Sequence, residues 1–460
     1  MKITVLNGSP KGNLSVTDRH VQFFKLAFPD HEIESIPIAK DFKKFETDDG
    51  FRGEVLGKIK ESDMVLFAWP VYYMTVPAQY MRFFELLREL SIEHTFAGKP
   101  AALFSTSIHY FDHTAHDYMR AQVDELRMKF CGSLSAHMND MTKEDGRKTL
   151  KMFMVKSINN CVEKLFPHRQ FQEFPANKFI YKPTPENRQK EVNLKVLIVT
   201  DHSENTNLSA MVSSAAAVFN PPAQVVHLSS LKMVSGCIGC LKCAGDLICR
   251  FNDKDGHRNF IENEMKQVDA IIFAADLKTG YFSSTWQTFI TRMFYNGHMP
   301  VLNGKCHAFL LSGALGHRAY IRELLEGMML HTESTMAGVV TDEEANSAAI
   351  DQSIEWLSHE ISYRVKENYK PFNTFPAVSG HKIFRDELYG AMGIVFSHDY
   401  DFYKRNGLFD FPTGRIGFNI VKSVGRTALK FPPLRRRFYN KEMMTGMLRP
   451  YEKVISKMKK

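Results

Sequence analysis

Two stretches of the chain carry the same succession of short apolar runs and polar turns. Residues 2–6 and 195–199 are β-rich runs, each followed by a polar turn. Residues 63–68 and 269–274 are continuous apolar runs of the kind that is buried in a parallel sheet. The offset is 193 residues at the first pair and 206 at the second, so the second stretch has thirteen extra residues between these runs. Such an internal repeat predicts two doubly wound α/β domains in tandem.

Further strands complete a five-stranded parallel sheet in each predicted domain. We expect them at 31–38, 99–107 and 130–137 in the first copy. In the second copy they are expected at 224–228 and 306–312, and the fifth strand is expected from the repeat without a range of its own. A proline-rich linker separates the copies. Residues beyond the second copy show no such pattern and predict a mostly helical C-terminal extension. The predicted boundaries are 1–168 for the first domain, 169–192 for the linker, 193–368 for the second domain and 369–460 for the extension.

The composition is that of a soluble globular protein. Hydrophobic residues make up 44% of the 460 and charged residues 24%, and no run approaches the length of a membrane span. The chain enters its first apolar run directly, without the apolar region of a signal peptide. We therefore expect a cytoplasmic protein with reduced thiols.

The basic charge is concentrated at the C-terminus. Residues 421–460 hold twelve Lys or Arg against two Glu, a balance of +10, whereas the whole chain carries +8. Residues 415–430 have the pattern of an amphipathic helix with a basic face. Such a face can contact an anionic membrane surface or an acidic partner, although helices of this kind more often cover their own domain. No nucleic-acid motif accompanies the charge, so nucleic acid is not expected as a partner.

The turn after the first strand has the features of a phosphate site. It contains two glycines and leads into a predicted helix at 16–26. Backbone N–H groups and the positive end of a helix converge at such a turn, and the hydroxyls of Ser9, Ser15 and Thr17 add donors. The alternative is a polar loop that binds nothing.

The end of the third strand has aromatic and proline residues where an open α/β sheet binds its ligand. Pro70, Val71, Tyr72 and Tyr73 follow the apolar run 63–68, and their flat faces suit a planar ring. The fourth strand ends in three hydroxyl side chains, those of Ser105, Thr106 and Ser107.

The loops after the first and third strands resemble those of the NADPH-dependent FMN reductases of the flavodoxin-like superfamily. The motifs are Asn-Gly-Ser-Pro-Lys at 7–11 and Pro-Val-Tyr-Tyr at 70–73. The resemblance implies two flavodoxin-like domains and FMN in the first, with NAD(P)H as a donor. It assigns Ser9, Lys11, Asn13, Ser15 and Thr17 to the phosphate, Pro70, Val71, Tyr72 and Tyr73 to the ring and ribityl chain, and Ser105, Thr106 and Ser107 to the ring edge. The helix after residues 70–73, which we call the ring loop, departs from the family at Met81 and at Glu85-Leu86. This leaves the phosphate and ring sites intact but weakens any statement about dimer contacts.

The second copy has weaker flavin loops. Its first loop lacks Gly-Ser-Pro, and no proline follows its strand 269–274. FMN binding is therefore in doubt there. Ser203, Asn205, Thr206 and Asn207 remain candidates for a phosphate site, and Ser312 and Gly313 for a ring edge. In the first copy, the loop at the end of the fourth strand is called the ring-edge loop because Ser105, Thr106 and Ser107 are assigned to the ring edge. His109, His113 and His116 lie in this loop and the helix that follows, where they either touch a substrate or are simply exposed to solvent.

The thirteen extra residues of the second copy coincide with a cysteine-rich segment. Cys237, Cys240, Cys243 and Cys249 have the spacing C-x2-C-x2-C-x5-C. Thiolates this close can converge on a 4Fe–4S cluster, although the bacterial ferredoxin spacing differs. Zinc, or thiols that hold no metal, are the alternatives. The array is similar to that of the iron-sulfur flavoproteins of anaerobes, which implies that all four cysteines are cluster ligands. Cys131, Cys161 and Cys306 lie among apolar residues and are expected to pack.

The predicted function is a flavin-dependent oxidoreductase that moves electrons between NAD(P)H or a reduced carrier, FMN and a 4Fe–4S cluster. The acceptor is a small molecule or a protein. The two copies are expected to form a pseudo-dimer within one chain, and a homodimer is a further option. The cysteine segment should then lie beside the flavin of the other copy. The alternative function is a non-catalytic electron carrier or a membrane-docked interaction protein with a degenerate flavin fold.

Overall fold

The structure, a computed structural model of the chain, describes residues 1–175, 178–184, 191–204, 206–277, 280–411 and 424–442, together with Thr445 and Ser456. Two compact units are present, Met1–Phe402 and Tyr403–Lys460. Both predicted sheets lie in the first unit. The domain boundaries proposed from the sequence stay predictions.

The N-terminal sheet has five parallel strands in the order β2-β1-β3-β4-β5. Each strand is parallel to its neighbours, with Val5 opposite Leu66 and Leu66 opposite Ala102. The central strands are apolar on both faces because helices cover both sides. The strands are β1 Lys2–Asn7, β2 Glu32–Ile36, β3 Met64–Pro70, β4 Pro100–Ser107 and β5 Lys129–His137.

The helices of this half alternate with its strands. Ser15 caps the first helix and Asp48 the third, each accepting a backbone N–H of the first turn. The helices are α1 Val16–Ala27, α2 Phe42–Thr47, α3 Asp49–Glu61, α4 Ala78–Glu89, α5 Asp112–Glu125 and α6 Glu144–Val162.

The C-terminal sheet has the order β12-β11-β10-β7-β9, which repeats the connectivity of the N-terminal sheet. Its strands are β7 Val196–Thr200, β9 Gln224–His227, β10 Ala270–Asp276, β11 Cys306–Ser312 and β12 Thr335–Thr341, and two short strands, β6 Glu191–Val192 and β8 Phe219–Asn220, pair beside it. Its helices are α7 Asn207–Ala217, α8 Cys243–Asp246, α9 His257–Asn263, α10 Ser284–Arg292, α11 Ala319–Thr332 and α12 Ser347–Lys366. The predicted fold class, two flavodoxin-like five-stranded parallel sheets with flanking helices and a helical C-terminal region, is therefore confirmed.

The main apolar core lies between the two sheets. Helix α4 packs against α10, and α5 packs against α11, so that one continuous cluster includes Phe67 of the N-terminal sheet and Phe273 of the C-terminal sheet. Separate clusters fill the outer layers, with Phe24 of α1 in one and Ile354 of α12 in the other. Burying both inner helix layers together fixes the two halves against each other.

Residues after α12 form further helices. In the first unit these are α13 Phe375–Tyr389, α14 Met392–Val395 and α15 Ser397–Arg405, the last of which runs on into the second unit. In the second unit α16 spans Pro432–Arg437 and a π-helical turn spans Phe438–Glu442. Of the predicted basic helix 415–430, residues 415–423 lie outside the described residues, while 424–428 are helical. Within the described part of the chain, no helix is both long and apolar enough to span a membrane.

Candidate functional site

The predicted phosphate loop makes a tight turn at the carboxyl end of β1. A methyl group at Gly8 would overlap the ring of Tyr80, whose hydroxyl donates to the Leu6 carbonyl at 3.0 Å. The Ser9 amide donates to Asn7 Oδ1 at 2.9 Å. Glycine is therefore required at position 8 by the close approach of α4.

The hydroxyl side chains of this loop are used within the protein. Ser15 Oγ accepts the Asp18 amide at 3.1 Å and donates to the Gly12 carbonyl at 2.8 Å. Thr17 Oγ1 lies 2.7 Å from Thr106 Oγ1. Ser9, Ser15 and Thr17 are buried, whereas Lys11 is half-buried and Asn13 is exposed. Of the five residues predicted for a phosphate, Lys11 and Asn13 thus present the more accessible side chains.

The ring loop is a two-residue turn with uncommon backbone angles. The Tyr72 amide donates to the Thr75 carbonyl at 2.8 Å, and the intervening Tyr73 and Met74 have φ of 49° and 67°. Non-glycine residues adopt this left-handed region only where their surroundings fix it. Burial raises the pKa of Tyr72, and the neighbouring Cys237 and Cys240 raise it further. Burial also raises the pKa of Tyr73, so both phenols stay neutral well above the pH at which an ordinary tyrosine ionises.

Hydrogen bonds join the three predicted loops of the N-terminal half. Thr106, from the ring-edge loop, lies beside Thr17 through its hydroxyl and accepts the Val71 amide at 3.2 Å through its carbonyl. Pro70 is paired with Thr106 in the β3–β4 register. The ends of β1, β3 and β4 thus form one connected surface, at the edge where open α/β sheets bind ligands.

A polar network supports the ring-edge loop. Ser105 Oγ lies 2.8 Å from His116 Nε2 and 3.1 Å from Ser135 Oγ. Asp112 Oδ2 accepts from Ser135 at 2.5 Å and lies 2.7 Å from His109 Nδ1. Burial lowers the pKa of His116 to about 4, so this imidazole is neutral near pH 7. Burial of Asp112 is outweighed by hydrogen bonds from Ser135 and His109, which lower the pKa of its carboxyl.

This network was only partly visible in the sequence. His109 and His116 were predicted near the ring-edge loop, and they join it. Asp112 and Ser135 were not predicted, because Ser135 lies on the neighbouring strand β5, and only the fold brings it to Ser105. His113, in contrast, is exposed and lies 2.6 Å from Glu323 of α11.

The four cysteines line one small cavity in the C-terminal half. Arg292, Phe251 and Tyr295 line it as well. Burial raises the pKa of Cys237 to about 11 and that of Cys243 to about 12. These two cysteines are therefore protonated near pH 7 in the metal-free protein.

A buried ion pair lies at the wall of this cavity. Arg292 donates to both oxygens of Asp255, at 2.9 and 3.1 Å, and to the Ser235 carbonyl at 3.1 Å. Burial of Asp255 is outweighed by these contacts, which lower the pKa of its carboxyl. Among the described residues, no three His, Cys, Asp or Glu side chains are arranged to hold a metal ion. The cysteines therefore share a cavity without forming a metal site in this geometry.

The cysteine segment lies against the predicted flavin loops of the N-terminal half. A methyl group at Gly239 would overlap the Tyr72 hydroxyl and lie 2.8 Å from Lys11 Cε. Just before the first cysteine, Ser235 and Gly236 contact helix α4. Gln79 of α4 donates to Ser235 Oγ at 3.2 Å and to the Gly236 carbonyl at 3.3 Å. The segment thus contacts both the phosphate loop and the ring loop.

Helix α10 also contacts the ring loop. Gln287 Nε2 donates to the Tyr72 carbonyl at 3.1 Å and to the Val76 carbonyl at 3.0 Å. At the start of α10, the amide and hydroxyl of Ser284 donate to Glu85, each at 2.6 Å. Glu85, one of the positions that departs from the FMN reductase pattern, is therefore a contact between the halves.

The corresponding loops of the C-terminal half contain carboxylates. Asp201, after β7, accepts from the Ser283 hydroxyl and from Trp286 Nε1. Asp342 accepts from Ser312 Oγ and from the Gly313 amide, each at 2.8 Å. Burial raises the pKa of Asp201 to about 6. Asn205 and residues 278–279 lie outside the described residues.

Comparison with known protein families shows a similarity in the N-terminal half. Residues 1–141 match the NADPH-dependent FMN reductases. This region is under a third of the chain, so the match concerns the N-terminal half alone. No curated protein sequence matches the chain.

Solved structures with a similar fold include three flavin oxidoreductases. They are an NADH:FMN oxidoreductase in its apo form (17% identity, 36% of this chain and 91% of that chain, TM-score 0.30), the flavoenzyme NAD(P)H:(acceptor) oxidoreductase from Paracoccus denitrificans (15%, 34% and 97%, 0.27) and an FMN-dependent NADH-azoreductase from Bacillus anthracis in complex with FMN (12%, 36% and 99%, 0.26). At these identities and scores the likeness carries no argument about activity.

Proposed function

We propose that this chain is an FMN-dependent oxidoreductase that takes electrons from NAD(P)H or a reduced carrier and passes them to a small-molecule or protein acceptor. The observation that carries the proposal is the connected surface formed by the ends of β1, β3 and β4. Thr106 bonds to both other loops there, within the region that matches the FMN reductases.

The residues of the N-terminal half fit an FMN. The first-turn amides of α1, those of Val16 and Thr17, have no partner within their helix, as at any helix start, and they suit a phosphate. Lys11 and Asn13 add a cation and an amide on the accessible side of the loop. The turn at Tyr72 and Tyr73 supplies flat side chains beside a planar ring. When bound, FMN supplies acceptance of a hydride and release of electrons one at a time.

Neutral side chains surround the proposed ring site. The two tyrosines are uncharged near pH 7, as an ordinary phenol is, and burial raises their pKa further. His116 is uncharged there because burial lowers its pKa. The network of Ser105, His116 and Asp112 therefore acts by holding the ring-edge loop in place. Its charged member, Asp112, is bonded to Ser135 and His109.

The cysteine segment is the proposed second redox centre. It contacts Tyr72 and Lys11, two of the residues proposed to hold FMN. The resemblance to iron-sulfur flavoproteins makes a 4Fe–4S cluster on Cys237, Cys240, Cys243 and Cys249 the proposed occupant. Among the described residues the four thiols are not arranged as a metal site, so the cluster is part of the proposal alone.

Purification without oxygen tests both parts of the proposal. We expect a yellow protein with bound FMN that NAD(P)H or dithionite bleaches and that reduces a quinone or free flavin. Iron and acid-labile sulfide test the cysteine centre separately, and a yellow protein without iron would remove the cluster but keep the flavin. A protein that binds no FMN would favour the non-catalytic alternative.

A matched pair of variants tests the phosphate loop. Lys11→Gln removes the cation beside the proposed phosphate, and we expect FMN to bind about tenfold more weakly, since a charge-assisted contact contributes about 1.5 kcal/mol. Lys148→Gln, at an exposed position of α6, is the control. Equal FMN affinity in the two variants, measured by fluorescence titration, would place the phosphate elsewhere.

A further inference from the structure

The C-terminal arm, which we define as residues 375–402, belongs to neither sheet. It consists of α13, α14 and the start of α15, and it lies in the same compact unit as both sheets. Flavodoxin-like connectivity is complete before it begins, at α12. It adds no strand to either sheet, although Ala377, Ile383 and Phe384 pack against the main apolar core.

One end of the arm packs on the ring-edge loop of the N-terminal half. A methyl group at Gly380 would lie 2.8 Å from the Tyr110 ring, and the Phe384 ring centroid lies 4.3 Å from that of Tyr110. Further along α13, Glu387 Oε1 lies 3.5 Å from His137 Nε2, at the end of β5. The arm thus covers the loop that supports the proposed ring site.

The other end of the arm is held by a buried pair in the C-terminal half. His298 Nδ1 lies 2.8 Å from Asp399 Oδ2, with 5% and 2% of the two side chains exposed. The carboxylate also lies against Gly297, where a methyl group would overlap it. A carboxylate is costly to bury unless it is paired, so this contact fixes where the arm lies.

The same end of the arm contacts the cysteine segment. His398 Nε2 lies 3.0 Å from the Gly245 carbonyl of α8. The Phe396 ring lies 5.9 Å from that of Phe294, a residue of the cysteine cavity wall. The Phe384 ring, which meets Tyr110 on one side, is 4.3 Å from His298. A continuous chain of contacts therefore runs from the ring-edge loop through the arm to the cysteine segment.

We propose that the C-terminal arm is a positioning element that fixes the ring-edge loop and the cysteine segment relative to each other, with Asp399 on His298 as its anchor. The inference rests on the proposed function, because holding these two loops together matters for a flavin and the cysteine segment. The contacts themselves are made by the protein without any cofactor. Loss of the anchor should loosen both the loop at 105–111 and the segment at 237–249, which are far apart in sequence.

Hydrogen exchange on the flavin-free full-length chain tests the proposal without reference to activity. Asp399→Ala should speed amide exchange about tenfold or more in peptides covering 105–111 and 237–249, and leave strand β10 unchanged. Asp399→Asn keeps an acceptor for a His298 Nδ1–H and should restore much of the slow exchange. Fast exchange in the arm alone, with both loops unchanged, would overturn the proposal.

A second variant addresses the anchor from the other side. Gly297→Ala should expel Asp399, whereas Gly98→Ala, at a similar positive φ but with open space around it, carries only the backbone strain. Adding Asp399→Ala to Gly297→Ala should cause little further loosening, because both changes break one contact. Additive effects, or equal loosening of the two loops in Gly98→Ala, would contradict the anchor. The milder Phe384→Leu gives the same readout if the glycine variant fails to fold.

Hydrogen exchange tests the role of the arm, and flavin binding tests the proposed function, so either hypothesis can be wrong while the other holds. If the chain binds no FMN but Asp399→Ala speeds amide exchange in both loops, the role of the arm is supported and the proposed function is contradicted. A yellow, active protein in which Asp399→Ala leaves amide exchange in both loops unchanged would support the proposed function and contradict the role of the arm.

Discussion

At the scale of single residues, Gly239 brings the cysteine segment close to the proposed flavin site. Its φ of 63° favours glycine, and the Tyr72 hydroxyl and Lys11 leave no room for a side chain. We expect Gly239→Ala to weaken FMN binding at least tenfold and to destabilise the protein by about 1 to 2 kcal/mol. Fluorescence titration and urea unfolding measure these effects.

Gly245→Ala is the matched control for this change. It lies in the same segment, in α8, with no atom within 4 Å of an added methyl group. We expect it to leave FMN affinity unchanged. If both alanine variants bound FMN like the unaltered chain, the contact of the cysteine segment with Tyr72 would have no bearing on the flavin.

Asp201 gives a pH dependence of stability at the same scale. Burial raises its pKa to about 6, whereas an Asp in an unfolded chain titrates near about 3.9. The folded state therefore binds this proton more tightly. Protonated Asp201 therefore adds to the free energy of unfolding. This contribution is fully present below about pH 4 and is lost as the pH rises through about 6.

Asp201→Asn removes this loss because its side chain stays neutral. We expect the variant to match the unaltered chain near pH 4 and to exceed its free energy of unfolding by on the order of 2 kcal/mol at pH 8. Urea unfolding at a series of pH values measures the difference. Asp253→Asn, at an exposed position, should show no such trend, and a trend of equal size there would contradict the assignment.

At the scale of elements, α10 supports the ring loop through one side chain. Gln287 is fully buried and donates to two carbonyls of the ring loop, those of Tyr72 and Val76. Gln287→Met keeps the volume but leaves both carbonyls without this donor. We expect a loss of about 2 kcal/mol of stability and weaker FMN binding. Thr285→Met, at an exposed position of the same helix, is the control, and equal losses in both would contradict this role.

The elements also show what the sequence can and cannot predict. The apolar runs 63–68 and 269–274 identified β3 and β10, since a buried central strand needs unbroken apolar residues. Strand β12 was expected only through the repeat, because Thr335 and Gly338 interrupt its pattern and most of its residues are half-buried. Helix α13 was not located at all. Its contacts with Tyr110 are long-range, and the sequence around it has no clear period.

The same limit applies to the site. The predicted loop residues lie together because each follows a strand of one sheet, a placement that the sequence pattern fixes. Ser135, Gln287 and Asp399 come from other elements, and their roles depend on the packing of helices and strands against each other. The hydroxyls of Ser15 and Thr17 stay predicted for phosphate, and the structure adds that Ser15 caps α1 and that Thr17 lies beside Thr106, a contact the sequence does not show.

At the scale of the whole molecule, the two halves share a fold but differ in their loops. The N-terminal loops present Lys11 and Asn13, whereas the C-terminal loops present Asp201 and Asp342. The Phe174 ring also lies 3.4 Å from a methyl group placed at Gly313, where a ring edge would be. A phosphate next to a buried carboxylate is repelled. The molecule should therefore bind one FMN per chain, in the N-terminal half.

Flavin stoichiometry tests this asymmetry. Acid release of FMN, compared with protein measured by amino-acid analysis, should give one FMN per chain. Gly8→Val, which would overlap the Tyr80 ring and close the N-terminal loop, should lower the content to near zero while circular dichroism confirms a folded chain. Two FMN per chain, or one FMN retained by folded Gly8→Val protein, would mean that the C-terminal half binds flavin despite its carboxylates.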